Sequence, residues 1–432
     1  MVEVRVARHD ERIRACAVVL RRDSEANLTI GQTVHAHARV PILCFLAAMC
    51  EGFDVQAAGV AAAGMRAEFG PSPFWLGFAF AASGAGLLVG AVAGGRLADR
   101  IGRKPVLVGS LAAFGLFSLL TTRAGNIQSL SAMRLVTGLG LGGAMPNLIA
   151  LTADVAASRS RNASIAVTYI GMPLGAAVAG LIASGIALES WRMIFLCGGI
   201  APLVLGPLLA ALLPPVPGVP LGSGEKSQAS RHPLHAMFGD GRARTTLLVW
   251  LGFLLIVLTL HLLLNWLPLL LMGKGLTKSS AGLAQAAFNA GGSIVALLVG
   301  ALLDSRARRS AIAFSVAVLP AVLIGMACVR GFPAALIALT PVLGGAVLAQ
   351  QVILFAVASA AYPSTIRGTA LGAAIGVGRL GSLIGPLFAA WLIAGGKSSS
   401  QVLVGILPIV IVAGLSVVLL GWQKSTERSA AG

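Results

Sequence analysis

Charge is scarce in this sequence: Asp, Glu, Lys and Arg together make up 11% of its 432 residues, less than half of the roughly 25% found in soluble domains. With 57% of residues hydrophobic and a mean hydropathy of +0.89, a water-soluble protein of this length is excluded. Acids are the rarer sign, 15 against 32 Lys and Arg. In a soluble chain that formal charge of +17 would point to nucleic acid. In so apolar a chain it reports membrane orientation instead, and no nucleic-acid partner is expected. The five cysteines, Cys16, Cys44, Cys50, Cys197 and Cys328, form no CxxC and no Cys/His pair at metal spacing, which argues against a disulfide framework and a zinc site. No HExxH, GxSxG or nucleotide-binding glycine loop occurs, so neither enzyme chemistry nor a cofactor is expected. Residues 1–39 carry seven Arg but no apolar core of about 7–15 residues, so a cleaved secretory signal is not expected there. They are expected to be a disordered cytoplasmic tail.

What the chain does have is repeated uncharged apolar runs, each long enough for a bilayer core that takes about 20 helical residues. Helices are predicted at 40–65, 74–95, 105–122, 127–152, 163–187, 192–213, 244–272, 280–303, 310–329, 333–360, 367–392 and 401–422. The fold class expected is an all-α polytopic membrane protein whose twelve helices form two pseudo-symmetric bundles of six. The 54 glycines suit it, because small residues let membrane helices approach closely. A Pro-, Gly- and Ser-rich stretch over 214–243 marks a cytoplasmic linker between an N-terminal bundle, 40–213, and a C-terminal one, 244–422, with a short tail at 423–432. The bundles echo one another: Asp99 matches Asp304 at an offset of 205, and Arg161 matches Arg367 at 206. Two loops that agree on one period imply an internal duplication. With the first helix starting inside, 23 Lys and Arg fall in cytoplasmic segments and seven in outer loops, which places both termini inside.

The loop Gly95-Arg96-Leu97-Ala98-Asp99-Arg100-Ile101-Gly102-Arg103-Lys104, between the second and third helices, resembles the signature loop of the major facilitator superfamily. In it Gly95, Asp99, Arg100, Gly102 and Arg103 are expected to form a conformational latch, Asp99 pairing with a cation or a helix N-terminus. Asp304 is the matching residue of a degraded second copy, without the glycine or the acid–base order.

Charges inside apolar helices are expensive and usually functional. Four stand out: Glu51, Asp54, Arg134 and Arg379. Glu51 and Asp54 lie three apart and share a helix face. Neighbouring carboxylates suit reversible protonation, and the alternative is a structural pair neutralised by arginine. Asp54 is expected to be the main proton site, with Glu51 assisting and Arg134 tuning it. Arg134 is equally suited to an ion pair with a first-helix acid. Arg379, near the middle of the eleventh helix, has a planar fork matched to a carboxylate, either a substrate's or one of the chain's own. Tyr169, Asn289, Gln350 and His261 are polar side chains in apolar runs and candidates for reading a substrate hydroxyl. Gly171 to Gly175 and Gly381 to Pro386 look like paired kink or gating segments, one in each half.

Further segments, EGFDVQAAGVAAAG, GLGLGGAMPNLIALTADVA, TYIGMPLGAA, NWLPLLL and VGRLGSLIGPL, resemble the aromatic acid:proton symporters of that superfamily. Glu51-Gly52-Phe53-Asp54 stands where most members carry Asp-Gly-aromatic-Asp, so the first acid is one methylene longer. The resemblance implies a monomeric carrier of the bacterial inner membrane that takes up a small aromatic carboxylate with protons and needs no cofactor. Within the family the likeness is greatest to carriers of 3-(3-hydroxyphenyl)propionate, which implies a phenylpropanoate with a meta hydroxyl. Uptake of another aromatic acid such as a hydroxybenzoate, or proton-coupled export of organic compounds or drugs, are the alternatives on the same fold.

Overall fold

The computed structural model describes residues 40–155, 161–185, 190–213, 237–239, 241–303, 305 and 308–430. Among them are twelve helices long and apolar enough to cross a membrane. They are α1 Val40–Phe69, α2 Pro73–Ile101, α3 Arg103–Thr121, α4 Ile127–Val155, α5 Arg161–Gly185, α6 Arg192–Leu212, α7 Ala243–Met272, α8 Lys278–Leu303, α9 Arg308–Cys328, α10 Pro333–Ala361, α11 Ser364–Ala394 and α12 Ser399–Gly421. The N-terminal tail, most of the 214–243 linker and Asp304 lie outside the described residues. The last helix runs on to Ala430, through most of the expected 423–432 tail, and α1 and α2 run on past 65 and 95. Hydropathy stops where the lipid does, whereas the hydrogen-bonded helix continues to a residue able to end it. For α1 and α2 those residues are Gly70 and Gly102, with φ of +54° and +92°.

The helices alternate in direction, as the clamps at their ends show. The face where α1 begins is called proximal here, and the face where it ends distal. On the distal face Arg192, at the start of α6, grips both carboxylate oxygens of Glu68 at the end of α1. Its Nε also donates to the Thr122 carbonyl beyond α3, at 2.9 Å. In the other half Lys274, after α7, donates to the Ala327 carbonyl of α9 at 3.1 Å and to Ser400 Oγ of α12 at 2.6 Å. The same three helix ends are tied in both halves by different chemistry, as an old duplication would leave them. On the proximal face Lys104 of the signature loop donates to the Leu213 carbonyl at 2.6 Å and caps α6.

Packing repeats the duplication. α2 lies against α4 and α8 against α10, while α5 against α8 and α2 against α11 join the halves. Glycine sets the separations. A Cβ on Gly52 of α1 would stand 1.8 Å from the Met172 carbonyl oxygen, and one on Gly175 of α5 1.9 Å from that of Met49. In the second half Gly381 and Gly385 of α11, the helix matching α5, press on the Leu254 and Leu258 carbonyls of α7. The paired segments expected as kinks or gates are thus the seams that seat α5 on α1 and α11 on α7.

The halves meet in the distal part of their helices. Gly180 of α5 packs on Gly282 and Ala286 of α8, Gly77 of α2 on Ala390 of α11, and Phe80 stands edge-on to Trp266 at 5.4 Å. Toward the proximal face α11 stands away from the other half, and a Cβ on Gly368, Gly372 or Gly376 would meet nothing within 4 Å. Among the described residues the halves are packed together distally and stand apart proximally.

Candidate functional site

Three polar clusters occupy the middle of the helices. The first lies inside the N-terminal half. Arg134 of α4 pairs with Asp54 of α1, Nη1 to Oδ2 at 2.8 Å, and the two are 1% and 0% exposed. Nη2 donates to the Asp54 carbonyl at 3.2 Å and to Ser83 Oγ at 3.3 Å. Ser118 of α3 donates to Asp54 Oδ1 at 2.7 Å, and the guanidinium lies 5.5 Å from the centre of the Phe195 ring of α6. Five helices converge on one ion pair. Of the two expectations for Arg134, the structure shows the ion pair.

The second cluster spans both halves: Glu51 of α1, Tyr169 of α5, His261 of α7 and Arg379 of α11. The charge of Arg379 acts on Glu51, Tyr169 and His261, and that of Glu51 on Tyr169, so the four share one electrostatic neighbourhood. Arg379 is half-buried, and among the described residues its guanidinium has no hydrogen-bond or ion-pair partner; its backbone carbonyl accepts from the Ser382 hydroxyl at 2.6 Å. Glu51 is 0% exposed, and neither carboxyl oxygen has a hydrogen-bond partner. Tyr169 is 43% exposed. His261 uses Nδ1 on the Val257 carbonyl at 3.1 Å and is half-buried. An open guanidinium beside a tyrosine and a histidine is an arrangement that holds a carboxylate and meets a polar substituent on the same molecule.

The third cluster closes the distal side. Gln56 of α1 donates to the Leu264 carbonyl of α7 at 2.8 Å, and its Oε1 accepts from Gln285 at 2.9 Å and Asn289 at 3.2 Å, both on α8. Asn289, expected as a reader of substrate, is 4% exposed and bonded into this crossing. Gln350 is 0% exposed and donates to the Ser315 carbonyl of α9 at 3.2 Å, turned into the C-terminal half. Tyr169 and His261 are therefore the two of the four hydroxyl candidates that stand beside Arg379. Sequence reasoning passed over Ser118 and the gating part of Gln56. A serine in an apolar run carries no signal of its own, but three amides in facing helices were a pattern to follow.

Gln56→Ala removes one donor and one twice-used acceptor from the distal crossing, each bond worth about 1 kcal/mol net. Losing two or three of them shifts the equilibrium toward distal opening, so maleimide labelling of a cysteine introduced by Ser184→Cys rises by roughly tenfold or more. Labelling unchanged from the Gln56 parent would show that the amides do not hold the gate.

In the signature loop, Gly102 turns the chain from α2 into α3, its N–H on the Ala98 carbonyl at 2.9 Å. Asp99, Arg100 and Arg103 are exposed at the proximal face, and a Cβ on Gly95 would meet nothing within 4 Å. Asp99 makes no ion pair among the described residues, in keeping with a proximal side that stands open.

The sequence of the Major Facilitator Superfamily model matches residues 44–386. The chain is 41% identical to a 3-(3-hydroxy-phenyl)propionate transporter of Escherichia coli (strain K12), over 89% of its own length and 94% of that protein's. It is 30% identical to the 4-hydroxybenzoate transporter PcaK of Pseudomonas putida, over 90% and 94%. Among solved structures, a bacterial homologue of the human lysosomal transporter Spinster, inward-facing and unoccupied, superposes with a TM-score of 0.74 at 16% identity, covering 89% of this chain and 97% of that one. The duplicated bundles, the signature loop and these likenesses agree: the chain is a multi-pass transporter, not an enzyme, and belongs to the major facilitator superfamily.

Proposed function

We propose that this transporter takes up an aromatic carboxylate, 3-(3-hydroxyphenyl)propionate first among them, together with at least one proton, by alternating access across the bacterial inner membrane. The observation that carries the proposal is Arg379: a half-buried guanidinium at mid-depth, in contact with no carboxylate among the described residues, between helices of both halves. A permanent cation in that position is costly unless it meets an anion, and its fork fits a carboxylate in two parallel hydrogen bonds. The 41% identical relative supports the choice of acid, and Tyr169 and His261 stand where a ring hydroxyl can meet them. The charge count puts the proximal face in the cytoplasm, so the open side is the side of release.

Proton coupling follows from electrostatics. A membrane potential negative inside opposes an incoming monoanion by about 2.3 kcal/mol per 100 mV, and one accompanying proton cancels that term. In proteoliposomes, labelled 3-(3-hydroxyphenyl)propionate should accumulate when the outside is made acidic and should only equilibrate without a gradient. Phenylpropionate should compete strongly, and benzoate, protocatechuate and 4-hydroxybenzoate weakly. The reverse order of competition would move the substrate to the hydroxybenzoates, and net efflux under the same gradient would make the protein an exporter.

A further inference from the structure

Two acids sit three residues apart on α1, in opposite circumstances. Asp54 has an arginine, a serine hydroxyl and complete burial, and every donor near it stabilises its charge. Glu51 is equally buried, but among the described residues neither of its oxygens accepts a hydrogen bond and no cation pairs with it. A buried carboxylate without a donor pays several kcal/mol for its charge, and a bound proton removes that penalty. The groups facing Glu51 are few. On its own helix are Asp54, whose charge repels a second anion, and the half-buried Cys50. From α5 comes Tyr169, from α11 Arg379, and His261 of α7 faces the same guanidinium. Arg134 of α4 is already engaged by Asp54. Among the described residues the one cation available to an ionised Glu51 is thus Arg379, the cation that the proposed function assigns to the substrate.

We propose that Glu51, rather than Asp54, carries the coupled proton, and that Glu51 and the substrate carboxylate take turns as the counter-ion of Arg379. The inference rests on the proposed function and deepens it. When a proton binds a Glu51 oxygen, the side chain becomes neutral and Arg379 is left for the incoming anion. Proton and monoanion together add no net charge to the site, so the loaded carrier can turn without moving charge across the potential. At the open proximal side the anion leaves, the Glu51 side chain turns out of its buried position toward Arg379 and the open cavity, its proton passes to water there, and its carboxylate closes on Arg379. The empty carrier then returns with that pair made, again without a net change of charge. Neither half of the exchange works alone: the anion without a proton competes with Glu51 for one guanidinium, and the proton without an anion leaves Arg379 uncompensated. Tight coupling follows from one cation shared between two carboxylates.

The test uses the full chain in proteoliposomes and in detergent, with 3-(3-hydroxyphenyl)propionate as probe. For the wild type, the apparent Kd should rise by about tenfold per pH unit above the titration of Glu51, since binding then requires uptake of one proton. Calorimetry in buffers of different ionisation enthalpy should report about one proton taken up per acid bound. Glu51→Gln, fixed in the neutral form, should bind with a Kd that is flat from pH 6 to 8.5 and exchange internal for external acid. It should fail to accumulate the acid under a pH gradient. Glu51→Asp keeps a carboxyl in a changed position and should accumulate with a displaced pH midpoint, which decides the matter if the glutamine variant does not fold. Accumulation by Glu51→Gln at the wild-type level, or an unmoved midpoint in Glu51→Asp, would overturn the proposal while leaving the substrate assignment standing. Absence of binding and exchange in the wild type would overturn the substrate assignment and the charge exchange with it.

Discussion

Arg379→Lys is expected to weaken binding of an aromatic acid by about 10- to 100-fold, the equivalent of roughly 1.5–3 kcal/mol for a charge-assisted hydrogen bond. Lysine preserves the charge, so long-range attraction survives; what goes is the fork that fixes both carboxylate oxygens and hence the direction of the ring. Arg379→Ala removes the charge as well, and truncating one member of a desolvated charge pair costs about 2–5 kcal/mol, or roughly 30-fold to several thousandfold. Folding should hardly change in either variant, because the guanidinium is half-buried and no described side chain bonds to it. The measurement is a binding isotherm beside a thermal melt. A melt that falls steeply while residual binding stays strong would make Arg379 a structural cation instead of a substrate clamp.

How far the site was legible in the sequence depends on what each residue's signal was. Helix number and placement were open to inspection because bilayer thickness forces a length and a hydropathy on every span, and loops between such spans are short. The duplication was visible in two loop residues, Asp99 and Arg161, and the structure adds a trace that no alignment of loops contains. Arg192 and Lys274 bind equivalent helix ends, though one uses a carboxylate and the other a carbonyl and a hydroxyl. The four intramembrane charges were conspicuous for their cost. What each does was not, since Glu51 and Asp54 share a face and differ only in which neighbours reach them from other helices. Asp54 drew the expectation of the proton site by its place in a motif; the partners that occupy it, Ser118 and Arg134, arrive from α3 and α4, 64 and 80 residues away. The amides Asn289 and Gln350 show the same limit. Each is polar in an apolar run, yet one joins the distal crossing and the other turns toward α9, a difference set by helix rotation that periodicity on an almost uniformly apolar helix does not reveal.

Breaking the Asp54–Arg134 pair should cost more stability than any other single change at the site. Asp54→Asn leaves a guanidinium that is 1% exposed, with a neutral amide where its counter-ion stood, and removing one member of a buried pair is typically destabilising by about 3–5 kcal/mol. Set against a total of about 5–15 kcal/mol for a folded protein, such a loss removes a large part of the margin. Because α1, α2, α3, α4 and α6 all meet at this pair, through Ser83, Ser118 and the Phe195 ring, the damage should appear as loss of the folded N-terminal half. The expected result is a sharply lowered melting temperature and little monodisperse protein in detergent. Asp54→Asn combined with Arg134→Met, which removes both charges and keeps an apolar stem, should recover much of that loss, since a well-packed neutral pair can match a buried ionic one. With the coupled proton on Glu51, as proposed, whatever folded protein the double variant yields should retain the steep pH dependence of binding. If Asp54→Asn melts like the wild type yet no longer accumulates substrate under a pH gradient, the proton belongs to Asp54, and the unpartnered carboxyl of Glu51 serves another end.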